Sequence, residues 1–132
     1  MGLDLVTLVV NDYDEAIDFF VRVLDFTWVE DADSLTNDGR AKRWVVVRPP
    51  GGGTGLLLAL ADGADQSLVV GLQTAERVAF FLRVEDFVTT LQRMVASGVE
   101  IISAPREEPY GMVAVFRDIA GNRWDLLGPI PG

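Results

Sequence analysis

Near the end of the chain, in Arg123-Trp124-Asp125-Leu126-Leu127, a carboxylate stands between a tryptophan and a leucine. Gly121-Asn122 before it predicts a tight turn, and Arg123 to Leu127 predict a short strand. A carboxylate in such a run is costly to bury unless a cation or a donor meets it. Asp125 therefore has three available partners: a metal ion, an arginine or a ligand. The chain contains no histidine and no cysteine. That excludes a histidine-based triad, thiol catalysis, thiolate metal sites and disulfides together. Among acid–base groups, Asp125 is the best catalytic candidate.

Other polar groups stand where they could meet a small molecule. Pro109 and Gly111 flank Tyr110, with Glu107 and Glu108 just before it, so a Tyr–carboxylate pair could bind an amine or polarise a hydroxyl. A solvated surface turn is the plainer reading. Trp44 begins an apolar run beside Lys42 and Arg43, where an indole could stack on a planar or cationic ligand or simply pack. Gln73, in the stretch before the second half, could reach a ligand through its amide. The glycine-rich "PPGGGTG" lacks the Lys-Ser/Thr of a phosphate loop and joins two strands, so it reads as a flexible turn.

These residues must be positioned by elements that the sequence spells out twice. "LVTLVV" predicts a strand, and "NDYDEAIDFFVRVLDF" predicts an amphipathic helix of about three turns with Ile17, Phe20, Val21 and Leu24 on one face. Asn11, Asp12 and Asp14 are N-cap candidates. "FTWVED", "RWVVVRPPG" and "GLLLALAD" supply three more strands. The pattern restarts at "VAFFLRV", and "EDFVTTLQRMVASG" repeats the helix with Phe87, Leu91, Met94 and Val95 on one face before Gly98 stops it. "VEII", "GMVAVFRD" and "NRWDLLGP" complete the second copy. A shift of 74 places Asp12 on Asp86, Ile17 on Leu91 and Phe20 on Met94, and a shift of 69 places Arg48 on Arg117. Trp28 and Trp124 are expected in the core. The expected fold class is α+β: two βαβββ modules, about 3–62 and 76–130, within one domain spanning 1–132. The two sheets are expected to form a half-open, cupped mixed β-barrel with the helices outside.

Composition bounds what such a fold could serve. The 132 residues carry 11 Lys+Arg against 20 Asp+Glu, a net charge of −9. That balance disfavours nucleic acid and would attract a cation. No apolar run reaches the ~20 residues of a membrane span, and the N-terminus lacks a basic signal-peptide region. A cytoplasmic protein with no membrane partner is expected.

The paired βαβββ plan, with "NDYDEAIDFFVRVLDF" early and D-x-x-G-N-x-x-[DE]-L late, resembles the vicinal oxygen chelate superfamily of glyoxalase I, extradiol dioxygenases and bleomycin-resistance proteins. The resemblance covers essentially the whole chain and implies a small-molecule site on a cupped sheet, often in a homodimer. Metal-dependent members carry ligands at positions that fall here on Leu5, Ala79, a residue near Leu56 or Leu58, and Asp125. Three of those four are apolar, so the resemblance implies neither a bound metal nor any other cofactor, and glyoxalase I chemistry is not expected. The same alignment turns Phe81 and Arg83 inward with Asp125, leaving Phe80, Leu82, Trp124 and Leu126 on the helix side. Arg83 and Arg123 are then the expected partners of Asp125. Metal-free relatives draw ligand contacts from the loop that holds Glu108 and Tyr110. The expected ligand-binding set is Trp44, Gln73, Phe81, Arg83, Glu108, Tyr110 and Asp125. Three functions remain open: a metal-free binding protein for a cationic or aromatic molecule, a lyase, isomerase or dioxygenase-like enzyme using carboxylate and Tyr groups, or an interaction module with its groove filled by Phe81 and Leu58.

Overall fold

A computed structural model describes residues 1–132, which fall into two compact units, Met1–Val70 and Gly71–Gly132. In the first, β1 (Leu5–Val10) leads into α1 (Tyr13–Asp18), which continues as a π-helical stretch, Phe19–Val23. Then come β2 (Thr27–Leu35), β3 (Ala41–Arg48), β4 (Gly55–Leu60) and a short α2 (Ala64–Val69). In the second, β5 (Gln73–Glu76) precedes β6 (Val78–Arg83), α3 (Phe87–Ala96), β7 (Ile101–Glu108), β8 (Gly111–Arg117) and β9 (Arg123–Gly128). Each unit holds one four-stranded sheet, ordered β1-β4-β3-β2 and β6-β9-β8-β7. In both, the first pair is parallel and the others are antiparallel. The fold class is α+β, as expected. No helix is long and apolar enough to cross a membrane.

The helices start alike. The Asp12 side chain accepts from the Glu15 backbone N–H at 2.8 Å, and that of Asp86 from the Thr89 N–H at 3.0 Å. Both are N-caps that satisfy an otherwise orphaned donor. The buried faces differ from the expected ones at one shared position. Val21 is 37% and Val95 58% exposed, whereas Ala16 and Thr90 are buried. In each helix the stripe runs through Ala16, Ile17 and Phe20 or through Thr90, Leu91 and Met94, one residue earlier in its turn. In the first helix the widening to π geometry, with Leu24 N–H on the Phe19 carbonyl at 3.3 Å, lets Phe19, Phe20, Val23 and Leu24 all reach the core. An extra residue per turn rotates the side chains past the 3.6-residue stripe.

The outer strands run further than their sequence signals. β7 continues through Pro105 because it is an edge strand, where a missing N–H removes no ladder bond, and the register shifts between Ser103 and Arg106. β2 is likewise an edge strand, so Trp28 is 49% exposed rather than in the core. Trp124 does pack inside, 3% exposed, with its ring 4.6 Å from Phe80 and 5.8 Å from Phe116. Gly128 admits the helix above this row, since a Cβ there would stand 2.8 Å from the Phe87 Cβ.

One turn sets β9 in place. Asp118, 6% exposed, accepts the backbone N–H groups of Ala120, Gly121 and Asn122 at 2.8–3.0 Å on one oxygen. Its other oxygen accepts the Asn122 amide at 3.3 Å and the Trp124 indole N–H at 2.8 Å. Burial pushes its pKa up, and the donors, led by the Trp124 indole, oppose that shift. Gly121 supplies the left-handed φ of +106° that closes the turn. Asp118→Asn keeps the size but turns an amide N–H₂ toward these donors, so it should cost about 2–4 kcal/mol in urea denaturation. The exposed Glu107→Gln should stay within about 0.5 kcal/mol.

Candidate functional site

With Trp124 and Leu126 held on the helix side, the alternation of β9 turns Arg123, Asp125 and Leu127 to the opposite face. Cross-strand register assembles that face in rows. Phe81, Asp125, Val115 and Ser103 form one; Arg83, Leu127, Val113 and Arg106 form the next. Phe81 is 65% exposed beside Asp125, which is half-buried and whose carboxylate accepts no hydrogen bond. Burial pushes the Asp125 carboxyl above the usual carboxylate range, and the charge of Arg106 opposes this.

Neither expected arginine partners Asp125. Arg123 turns to Glu76, with Nη2 donating at 2.9 Å, while its buried Nε meets no acceptor. Arg83 is exposed at the end of β6 and forms no ion pair. The cation near Asp125 is Arg106, which sequence reasoning passed over because "PREEP" reads as a loop. Its Nε donates to Glu108 at 2.8 Å and its Nη1 to the Ser103 hydroxyl at 3.4 Å, whereas Nη2 makes no hydrogen bond. Knowing that β7 runs through Pro105 would have placed it.

The remaining candidates scatter around this face. Glu108 ends β7 in the ion pair with Arg106, and Tyr110, 59% exposed, occupies the turn to β8. Gln73 opens β5, with its backbone N–H on the Asn122 side chain at 3.4 Å. Trp44 belongs to the first unit, where its indole N–H donates to Glu30 at 3.1 Å. That unit also has a shallow polar hollow of about 360 Å³ at the β2–β3 turn. Its Arg40 is already paired with Asp62 at 2.7 Å and Asp38 at 3.0 Å, leaving little charge for a ligand.

Register also corrects one position of the metal-ligand set. Thr7 pairs with Leu57 as Phe81 pairs with Asp125, so Leu57 is the counterpart of Asp125. Leu56 and Leu58 lie on the buried side with Leu8, 6% and 0% exposed. The one-residue error arises because residues 49–54 join β3 to β4, whereas the shorter 118–122 joins β8 to β9. No three His, Cys, Asp or Glu side chains converge as a ligand set. One carboxylate among apolar neighbours does not fit a resident divalent ion.

The sequence profile of the Glyoxalase/Bleomycin resistance protein/Dioxygenase superfamily matches residues 2–126. An uncharacterized protein of Shewanella frigidimarina is 49% identical over 123 residues, 92% of this chain and 89% of its own. The crystal structure of UcmS2 is similar with a TM-score of 0.76 at 25% identity, covering 96% of this chain and 97% of its own. That of TnmS3, an antibiotic binding protein from Streptomyces sp. CB03234, is similar with a TM-score of 0.72 at 27% identity, covering 98% and 96%. With a profile match over nearly its whole length and the βαβββ unit built twice, the chain belongs to the Glyoxalase/Bleomycin resistance protein/Dioxygenase superfamily.

Proposed function

We propose that the protein binds a small organic molecule, cationic or aromatic, on the open face of its second sheet, without a metal ion. The observation that carries this reading is Asp125, a half-buried carboxylate with no hydrogen bond, beside the exposed ring of Phe81. An acid left this way costs stability and gains a partner when a donor arrives. Phe81 offers a ring face for a flat or cationic group. The net charge of −9 favours a cation over an anion. The similarity to TnmS3, an antibiotic binding protein, supports a small-molecule ligand. Arg83, Glu108, Tyr110 and Gln73, all of the same unit, are the further candidate contacts.

A second reading, an acid–base enzyme of the lyase or isomerase kind, draws on one observation. Burial raises the Asp125 pKa, which makes its carboxylate a better base near neutral pH. Turnover of a bound molecule separates this from simple sequestration. We also propose a homodimer in the cytoplasm, because the edge strand β2 leaves Trp28 and Val29 exposed at 49% and 43%.

Metal analysis of the purified protein should find no stoichiometric zinc, nickel, iron or manganese, and one tightly held ion per chain would end the metal-free reading. Light scattering should give twice the 14.4 kDa chain mass, and a monomer would contradict the dimer. Asp125→Asn should weaken binding of a cationic hit from a thermal-shift screen of aromatic amines and antibiotics by about tenfold or more. The same substitution should stabilise the free protein at pH 7. Because burial raises the folded-state pKa of Asp125, its favourable contribution is complete below the ordinary aspartate value of 3.8 and is lost as pH rises through the folded value. The advantage of the Asn variant should therefore vanish at pH below 3.8. A variant less stable than wild type at pH 7 would show that Asp125 is paired after all.

A further inference from the structure

We propose that Arg106 is the second recognition group of this face, and that the ligand carries an ammonium for Asp125 and a carbonyl acceptor for Arg106 at opposite ends of one ring. The inference rests on the small-molecule reading of this face and adds its ligand class.

Three observations carry it. First, the unused hydrogen-bonding capacity is of two kinds. Asp125 has both carboxylate oxygens free, and Arg106 has the Nη2 donors free while Nε and Nη1 are held by Glu108 and Ser103. A simple amine would satisfy the first and leave the second unused. Second, the charges are held apart. Glu108 pairs with Arg106 at 2.8 Å and Arg83 forms no ion pair, so the carboxylate of Asp125 is in contact with no cation and an ammonium is the group that would complement it directly. Pinned along its own strand by Glu108 and Ser103, Arg106 forms no ion pair with Asp125. Third, the two groups are separated by something a ring can lie on. Asp125 on β9 and Arg106 on β7 are two strand spacings and one row apart, about 12 Å. Half-buried Val115 and Leu127 and the fully buried Val113 lie between them on the same face. Phe81 flanks Asp125 on the far side, where its ring can face the ammonium.

Two probes that differ only at the acceptor test this. 4-(Aminomethyl)acetophenone and 4-ethylbenzylamine share the ring and the ammonium, and only the first has a carbonyl. Titration of ¹⁵N-labelled protein at millimolar probe, followed by NMR, should show the ketone binding about tenfold tighter. In Arg106→Gln that preference should disappear, while 4-ethylbenzylamine should bind no more weakly than to wild type, since Glu108 loses its counter-ion. Arg106 is exposed on an edge strand, so the variant should fold normally, which its amide spectrum will report. Equal affinities in wild type, or a preference that survives Arg106→Gln, would overturn the role of Arg106. Asp125-dependent binding of 4-ethylbenzylamine would then leave the broader reading standing. Shifts from neither probe would overturn this ligand class, and the thermal-shift screen judges the broader reading separately.

Discussion

The buried carboxylate of Asp118 gathers three consecutive backbone N–H groups, a side-chain amide and an indole N–H around its two oxygens, and that cluster decides how β9 leaves its turn. An isolated buried carboxylate would cost several kcal/mol, so the turn can adopt only a shape that keeps these donors converged. Because one donor is the Trp124 indole, the first inward side chain of β9 is fixed along with the turn. Strand alternation does the rest: Trp124 inward, Asp125 outward, Leu126 inward. A slip of one residue would bury Asp125 under α3 and expose Trp124. The position of the candidate site is thus a consequence of an acid that never touches a ligand.

The two units show how much chemistry one topology tolerates. Their sheets share strand order, pair types and helix caps, yet the matched pairs read Thr7 with Leu57 in one and Phe81 with Asp125 in the other. Residues on the helix face are constrained by packing to be apolar and closely fitted, as Leu8, Leu58, Leu82 and Leu126 are. The opposite face is buried less uniformly: Val46 and Val113 are 0% exposed there but Phe81 is 65% exposed, so its exposed positions can change without disturbing the fold.

Much of this was legible from residue patterns. Alternation in "NRWDLL" placed Asp125 opposite Trp124, and Asp12, one of three N-cap candidates for the first helix, is the cap. What escaped follows from forces that a linear pattern does not carry. Val21 and Val95 fit the ideal helical stripe, but the sheet beneath selects the neighbouring face, and the π-helical stretch rotates it further. The expected strand is only "VEII", because nothing local shows that β7 is an edge and can run on through Pro105. With β7 cut short, Arg106 could not be placed opposite Val113, and strand alternation pointed to Arg83 and Arg123 instead. Short α2 and β5 were invisible in "ADGADQSLVVGLQTAER", since neither is long enough to show a period.

Why Asp125 should be left without a hydrogen bond beside a cation is a question of geometry. A direct bidentate pair with Arg106 would close the face, and opening it would cost the ligand most of what it gained. Glu108 prevents that closure: two residues along an edge strand places it on the same side as Arg106, where a 2.8 Å bond draws the guanidinium along β7 rather than across the sheet. The Ser103 hydroxyl restrains it from the other direction. Arg106 therefore lends its charge to Asp125 through space, limiting the rise in its pKa, without occupying its oxygens. The carboxylate remains ionisable and open, at a cost in stability that the surrounding core of Trp124, Phe116 and Leu126 can absorb.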